Sequence, residues 1–585
     1  MSVLSSLAHA YERLPDAPPF GYSSEKIAAL VSLNPDGSVA GLHDLREGTR
    51  KKPVPAVLMV PQAIKRTVGI APNFLWDKTA YSLGVTAGEG KRTADEHEAF
   101  KACHREWLDG TEDEGLLAFL RFLDGWTPDQ FNWDEVLKDH NIVFALESDR
   151  LMRKMLHDRP AARKLWAKVQ GAKGGAGAAC LVTGDHAPIA RLHPAIKGVW
   201  GAQSSGASLV SFNLDAFESY GHKQGDNAPI SDRAAFAYGA VLNVFLGKGS
   251  GHRIQIGDAS TVFWAEAPDD GSADTAEHMF STMFDAQPKG ADDDTARKDI
   301  ELKLERLRQG KPLFKVEPDL APGTRFTVLG LAPNAARLSV RFMVEESFGI
   351  IADRYRRWQQ DIQVEPGPRG GPASMFRQLC ELAVQGKMDN LPPRLAGDYM
   401  RAVLTGGPYP LTILSTALTR IRADGDINAI RTGLMKAVLI RNFRQEVPVA
   451  LDPDFDNAGY QLGRLFAVYE QIQRAALGNV NASIRDKYYG AASATPRKVF
   501  AMLDRGAMSH LSKLGKIKPG YEINLTRTLR TITDRLSPEA EPFPQTLPAR
   551  DQALFALGYH HQSSEFFRSK TDDADTEPAT DEDNA

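Results

Sequence analysis

Eight residues, Glu365-Pro366-Gly367-Pro368-Arg369-Gly370-Gly371-Pro372, constrain this chain more than any others. Three prolines without amide hydrogens and three glycines exclude both a helix and a central strand there. Beyond this break the pattern is helical. Leu462, Leu465, Phe466, Tyr469 and Ile472 form one apolar stripe, and Leu525, Leu529, Ile532 and Leu536 form a second with Arg527 and Arg530 opposite. Before it, strands and helices alternate. Asn34-Pro35-Asp36-Gly37-Ser38 reads as a hairpin turn between 26–33 and 39–45, and 54–60 reads as a buried strand. Residues 94–123 and 134–169 read as helical; 325–331 and 338–344 read as strands joined by Ala332-Pro333-Asn334 and followed by a helix at 347–360. The fold class is α+β: mixed parts at 1–170 and 180–363, a helical bundle at 373–570, and a disordered acidic tail at 571–585. A chain of 585 residues is too long for one core, which agrees with several domains.

Composition excludes several classes. No run of about 18 apolar residues spans a membrane, and the first residues lack a secretory pattern. Cys103, Cys180 and Cys380 are too few and too scattered for a disulfide framework or a zinc ribbon, which points to a reducing cytoplasm. The net charge of −4 conceals an asymmetry. Residues 571–585 hold seven acids and no base, whereas 461–570 hold 16 Lys and Arg against 9 Asp and Glu. That local excess suits a polyanion such as nucleic acid, or a solvated helical surface.

Catalytic signatures fail in turn. Gly247-Lys248-Gly249-Ser250 lacks the earlier glycine of a P-loop, because position 242 is Leu. Gly201-Ala202-Gln203-Ser204-Ser205-Gly206 does not fit a nucleophile elbow. His97-Glu98 lacks the second histidine of a zinc protease, and adjacent His560-His561 would diverge by about 100° on a helix. No enzyme activity, metal or cofactor is expected. Two clusters stand out instead. Residues 66–79 combine Arg66, Asn73, Phe74, Trp76, Lys78 and Thr79; residues 201–207 set Gln203, Ser204 and Ser205 on a glycine-bounded loop. Such loops can approach phosphates, and an amide can pair with an adenine edge; a Pro-Asn turn packing its aromatics inward is the competing reading.

These stretches, together with Gly21-Tyr22-Ser23, Cys180-Leu181-Val182-Thr183-Gly184, Val262-Phe263-Trp264-Ala265, Val328-Leu329-Gly330-Leu331-Ala332-Pro333-Asn334, Asn481-Ala482-Ser483-Ile484-Arg485-Asp486-Lys487-Tyr488-Tyr489-Gly490 and Leu557-Gly558-Tyr559-His560-His561-Gln562, resemble the large-subunit family of type I-C CRISPR Cascade. The resemblance runs in order along nearly the whole chain. It implies a non-catalytic, cytoplasmic subunit that recognises the short motif (PAM) flanking a double-stranded DNA target and helps open the duplex, stabilising the R-loop. Guide RNA on backbone and guide 5′-end subunits reads the target itself. It also implies recruitment of a helicase–nuclease, antiviral defence, and a small subunit made from the same gene by internal initiation, with Met435, Val447, Val449 or Val468 as starts. Flank recognition falls on Asn73, which Pro72 is expected to present outward, supported by Lys65, Arg66, Lys78, Gln203, Ser204 and Ser205. Displaced-strand binding falls on Arg485, Lys487, Arg497, Lys498, Arg527 and Arg530.

Overall fold

The computed structural model describes residues 2–567 apart from 15–16, 48–52, 65, 67–68, 173–176, 285–293, 321–322, 479 and 537–540. Lys65 and the acidic stretch 571–585 therefore lie outside the described residues. The architecture is α+β. Among the described residues, no helix is long and apolar enough to cross a membrane. The chain divides into two compact units, Met1–Ile196 with Ser208–Val244 and Lys197–Ala207 with Phe245–Ala585.

The first unit opens with helix α1 (Val3–Glu12). It contains strands β1 (Tyr22–Ile27), β2 (Ala29–Leu33), β3 (Val39–Asp44), β4 (Ala56–Pro61), β5 (Trp76–Lys78) and β6 (Asn141–Leu146). β1 pairs with β4, and the other four form a sheet in the order β3-β2-β6-β5. The β2–β3 hairpin turns at the expected residues: the Asn34 amide donates to the Ser38 carbonyl at 2.9 Å, and Gly37 takes φ 88°. β4 is an edge strand with Val57 exposed, not a buried one. The span 94–123 holds two helices, α2 (Thr93–Trp107) and α3 (Glu114–Gly125). The span 134–169, expected to be helical, is helical only in part. Ile142-Val143-Phe144-Ala145-Leu146 makes strand β6, paired parallel with β2 and antiparallel with β5; the span is helical as expected at Glu147–Arg150, a single turn, and in α4 (Pro160–Ala172). An unbroken apolar run carries no period, so burial on both sheet faces decides it.

The second unit begins with an antiparallel meander, β7 (Arg253–Ile256), β8 (Ala259–Glu266), β9 (Arg325–Asn334) and β10 (Arg337–Ser347). The β9–β10 turn is at Ala335, φ 53°, so Ala332-Pro333-Asn334 ends the strand instead of forming the connection. Helices follow: α5 (Phe348–Ile362), α6 (Met375–Leu382), α7 (Ala429–Phe443), α8 (Ala458–Leu477), α9 (Ile484–Ala494), α10 (Pro496–Ile517), α11 (Pro519–Thr533) and α12 (Ala549–Glu565). The 365–372 segment does interrupt regular structure, yet packing continues across it. One apolar cluster contains Phe326 of β9, Trp358 of α5, Leu434 of α7, Phe466 of α8 and Phe555 of α12. The Glu365 amide donates to the Val449 carbonyl at 2.8 Å, which ties the segment to the helices beyond it. Proline and glycine mark where regular backbone stops, not where a core stops.

α8 is enclosed by α12, α10 and α11. Its stripe Leu462, Leu465, Phe466, Tyr469 and Ile472 is buried, as are Leu525, Leu529 and Ile532 of α11. Glycines let α8 and α12 meet backbone to backbone. A Cβ on Gly463 would sit inside van der Waals distance of the Phe555 carbonyl oxygen, and one on Gly558 would meet the Tyr460 carbonyl oxygen. His560 and His561 are both buried in this helix pair. His561 Nδ1 bonds the Tyr460 hydroxyl at 2.9 Å, and burial holds its imidazole down to about 3.

Candidate nucleic-acid interface

The first predicted cluster, residues 66–79, is knotted into the core of the first unit. Leu75 takes φ 60°, and its amide donates to His104 Nε2 at 2.9 Å. His104 Nδ1 donates to the Phe100 carbonyl at 2.8 Å, which fixes the tautomer. Phe74 lies between His104 and Trp166, near-parallel to both at 19°, with centroids 6.0 and 5.2 Å away. Trp76 Nε1 donates to the Pro61 carbonyl at 2.7 Å. Full burial pushes the His104 imidazole down to about 4 from 6.5. The folded chain therefore keeps His104 neutral where the unfolded chain would protonate it, and stability falls as pH drops from 6.5 to about 4. His104→Gln is expected to remove on the order of 3 kcal/mol of that acid loss. Urea midpoints of both proteins at pH 7 and pH 4.5 measure it. Parallel pH profiles would show that His104 is not the group responsible.

Asp77 organises the polar side of the knot. Its Oδ2 accepts from the Asn73 amide at 2.9 Å and from Arg66 at 2.5 Å, and its Oδ1 accepts from the Lys78 amide at 2.8 Å. Burial pushes this carboxyl up, against the pull of Arg66 and the two amides. Arg66 also donates Nε to the Ala71 carbonyl at 2.8 Å and lies 4.0 Å over the Tyr81 ring.

These contacts correct two expectations. Asn73 is not presented outward: it is 4% exposed, and its Oδ1 accepts from the Ile64 amide at 2.9 Å. Among the described residues the Ile64 amide finds its acceptor in this short amide side chain. Arg66 is not a free phosphate contact, because Asp77 already holds it. Lys78 alone of the described cations in this cluster is exposed, with no carboxylate partner among the described residues.

Gln203, Ser204 and Ser205 belong to the second unit and are all exposed. The Gly206 amide closes their turn on the Gln203 carbonyl at 2.9 Å, with Gly201 and Gly206 at φ 75° and 92°. Sequence reading missed Trp200, at the foot of this loop. Its amide donates to Ser260 Oγ at 3.0 Å, while its side chain is 65% exposed. An indole standing in solvent offers a stacking surface. Its adjacency to Gly201 was the available signal.

The predicted displaced-strand residues separate into two groups. Arg485 is half-buried, 3.8 Å from Glu470, which also accepts from the Tyr559 hydroxyl; Arg497 pairs with Glu541. Both already have carboxylate partners. Lys487, Lys498, Arg527 and Arg530 are exposed and have none among the described residues. Arg505, Lys513, Lys516 and Lys518, which the sequence reading overlooked, share that condition. Lys498, Arg505, Ser509, Ser512 and Lys516 recur at i, i+7, i+11, i+14 and i+18, a single exposed stripe along α10. The buried positions Val499, Leu503, Ala507, Leu511 and Leu514 lie on the other side of the helix. Across 484–536 there are eleven Lys and Arg against four Asp and Glu, a net +7.

A family model described as CRISPR-associated protein (Cas_Csd1) matches residues 7–567. No curated protein matches the chain.

Proposed function

The chain belongs to the Cas_Csd1 family of CRISPR-associated proteins, and on that premise we propose that it is the large subunit of a type I-C RNA-guided surveillance complex. Its role is to read the flank of a double-stranded DNA target, help open the duplex and hold the displaced strand. The observation that carries this reading is the set of exposed cations on α9–α11, with the stripe along α10 at its centre. Eight exposed Lys and Arg side chains there have no carboxylate partner among the described residues. An unneutralised stripe on a rigid helix suits a phosphate chain, since binding releases counterions from the nucleic acid. Sequence of the target is left to pairing with guide RNA on sister subunits, and cleavage to a separate helicase–nuclease. The chain itself acts in the cytoplasm without catalytic groups or cofactor.

Flank reading is assigned to the exposed Gln203-Ser204-Ser205 turn with Trp200, and phosphate contact to Lys78. Asn73 serves by holding the Ile64 amide. A small subunit from the same gene fits starts at Val447 or Val449, which precede α8 and leave α8–α12 whole; Met435 and Val468 fall inside helices.

Binding of the assembled complex to matched duplexes that differ only in the flank tests the assignment. Gln203→Ala is expected to cost about 1–3 kcal/mol on the correct flank and little on a wrong one. Asn73→Ala should weaken both flanks alike, because it releases the Ile64 amide instead of removing a base contact. Flank discrimination unchanged in Gln203→Ala, Ser204→Ala and Trp200→Ala together would remove the 201–206 loop as reader.

A further inference from the structure

We propose that the acidic C-terminal segment 571–585 is the resting occupant of the cationic face on α10 and α11, and that nucleic acid must displace it. This rests on the reading of that face as a nucleic-acid surface and adds its regulation.

Charge complementarity is the first argument. The segment carries seven carboxylates and no base, and the 484–536 region carries a net +7. Lys498, Arg505 and Lys516 have no carboxylate within the described residues to neutralise them. Reach is the second. The described chain ends at Phe567, whose ring lies 5.1 Å from the Arg474 guanidinium at the end of α8. α8 packs directly on α10 and α11, so the segment leaves from the bundle that carries the face. The 18 residues 568–585 can extend up to roughly 60 Å. α10, with 22 residues, is roughly 33 Å long. The acids span 572–583, twelve residues or roughly 40 Å extended, enough to run the length of the Lys498–Lys516 stripe, roughly 27 Å.

Energetics set what such an occupant can do. Exposed ion pairs are individually weak and weaken further as salt shortens the screening length. Tethering raises their local concentration to the millimolar range. The segment therefore cannot exclude a long strand that neutralises many cations at once, but it competes well with brief, partial contacts. Its effect is to raise selectivity for a fully engaged strand.

Zero-length carbodiimide crosslinking of the full-length chain reads the contact without any nucleic acid. Amide links from Asp572–Asp583 carboxylates are expected on Lys498, Lys513, Lys516 and Lys518. Links absent from these lysines, or scattered over lysines of the first unit, would overturn the inference. In parallel, oligo-dT affinity is compared for the full chain, the 571–585 deletion, and a tail of equal length with every acid made an amide. Deletion and amide tail should both bind about 3- to 10-fold tighter at 50 mM salt, the gain vanishing near 0.3 M. A gain with deletion but none with the amide tail means steric hindrance and defeats the charge argument. If none of the three proteins binds oligo-dT, the nucleic-acid reading of the face fails, while the crosslink pattern still decides where the segment docks.

Discussion

Gly463→Ala is expected to destabilise the second unit by about 3 kcal/mol, at the upper end of what one added methyl costs in a packed core. Most overpacking is relieved when a flexible side chain moves aside. Here the obstacle is the Phe555 carbonyl of α12, held in its own helix, and the next nearest atoms are also backbone. Relief requires the two helices to separate along a contact that buries Leu462, Phe466, Leu554 and Phe555. Gly558→Ala should behave alike, because its Cβ would meet the Tyr460 carbonyl of α8. Gly490 in α9 and Gly506 in α10 provide the contrast, with nothing within 4 Å of an added Cβ. Alanine there relieves the entropy of glycine in a helix and should stabilise by about 0.5–1 kcal/mol. Urea unfolding of the four variants measures the divergence. Equal shifts for Gly463→Ala and Gly490→Ala would refute the close approach of α8 and α12.

The same glycines show where sequence reading stops. Leu462 to Ile472 and Leu525 to Ile532 are visible because an amphipathic helix writes its buried side at a 3.6-residue period. Gly459, Gly463 and Gly558 carry no such mark; glycine in a helix reads only as a local cost until the partner backbone is in place. Lys436 makes the point with charge. It sits inside α7 at 2% exposure, its ammonium donating to the Gln360 and Asp361 carbonyls, and burial lowers it to about 8. Nothing local distinguishes it from a solvated lysine. β6 was hidden for the opposite reason: an apolar run at 142–146 suits a buried helix as well as a strand, and only its neighbours β2 and β5 decide. At the 66–79 cluster it is the competing reading, a Pro-Asn turn packing its aromatics inward, that describes Phe74 and Trp76, both buried. Direction was not readable. Whether Asn73 faces water or the Ile64 amide depends on where the folded chain brings that donor.

The cationic face has the largest expected functional effect. The variant combining Lys498→Ala, Arg505→Ala, Lys516→Ala and Arg527→Ala should bind single-stranded DNA roughly 10²- to 10³-fold more weakly at about 0.1 M salt. The figure follows from counterion release. Each lost phosphate contact lowers the salt slope by about 0.7 for a single strand, so four contacts lower it by about 2.8. Stability should hardly change, since all four side chains are exposed and none has a carboxylate partner among the described residues, and such substitutions stay within about 0.5 kcal/mol. The loss should be the same for any DNA sequence, as phosphate contacts carry no base information. Arg497→Ala is the internal control: Glu541 already neutralises its guanidinium, so its slope should match wild type. Arg485, beside Glu470, is excluded from the set because its removal would strand a half-buried carboxylate next to Tyr559. Affinity measured from 50 to 300 mM salt separates the outcomes. A quadruple variant with wild-type affinity and slope would mean that these cations are simply hydrated, and that any strand follows another path across the subunit.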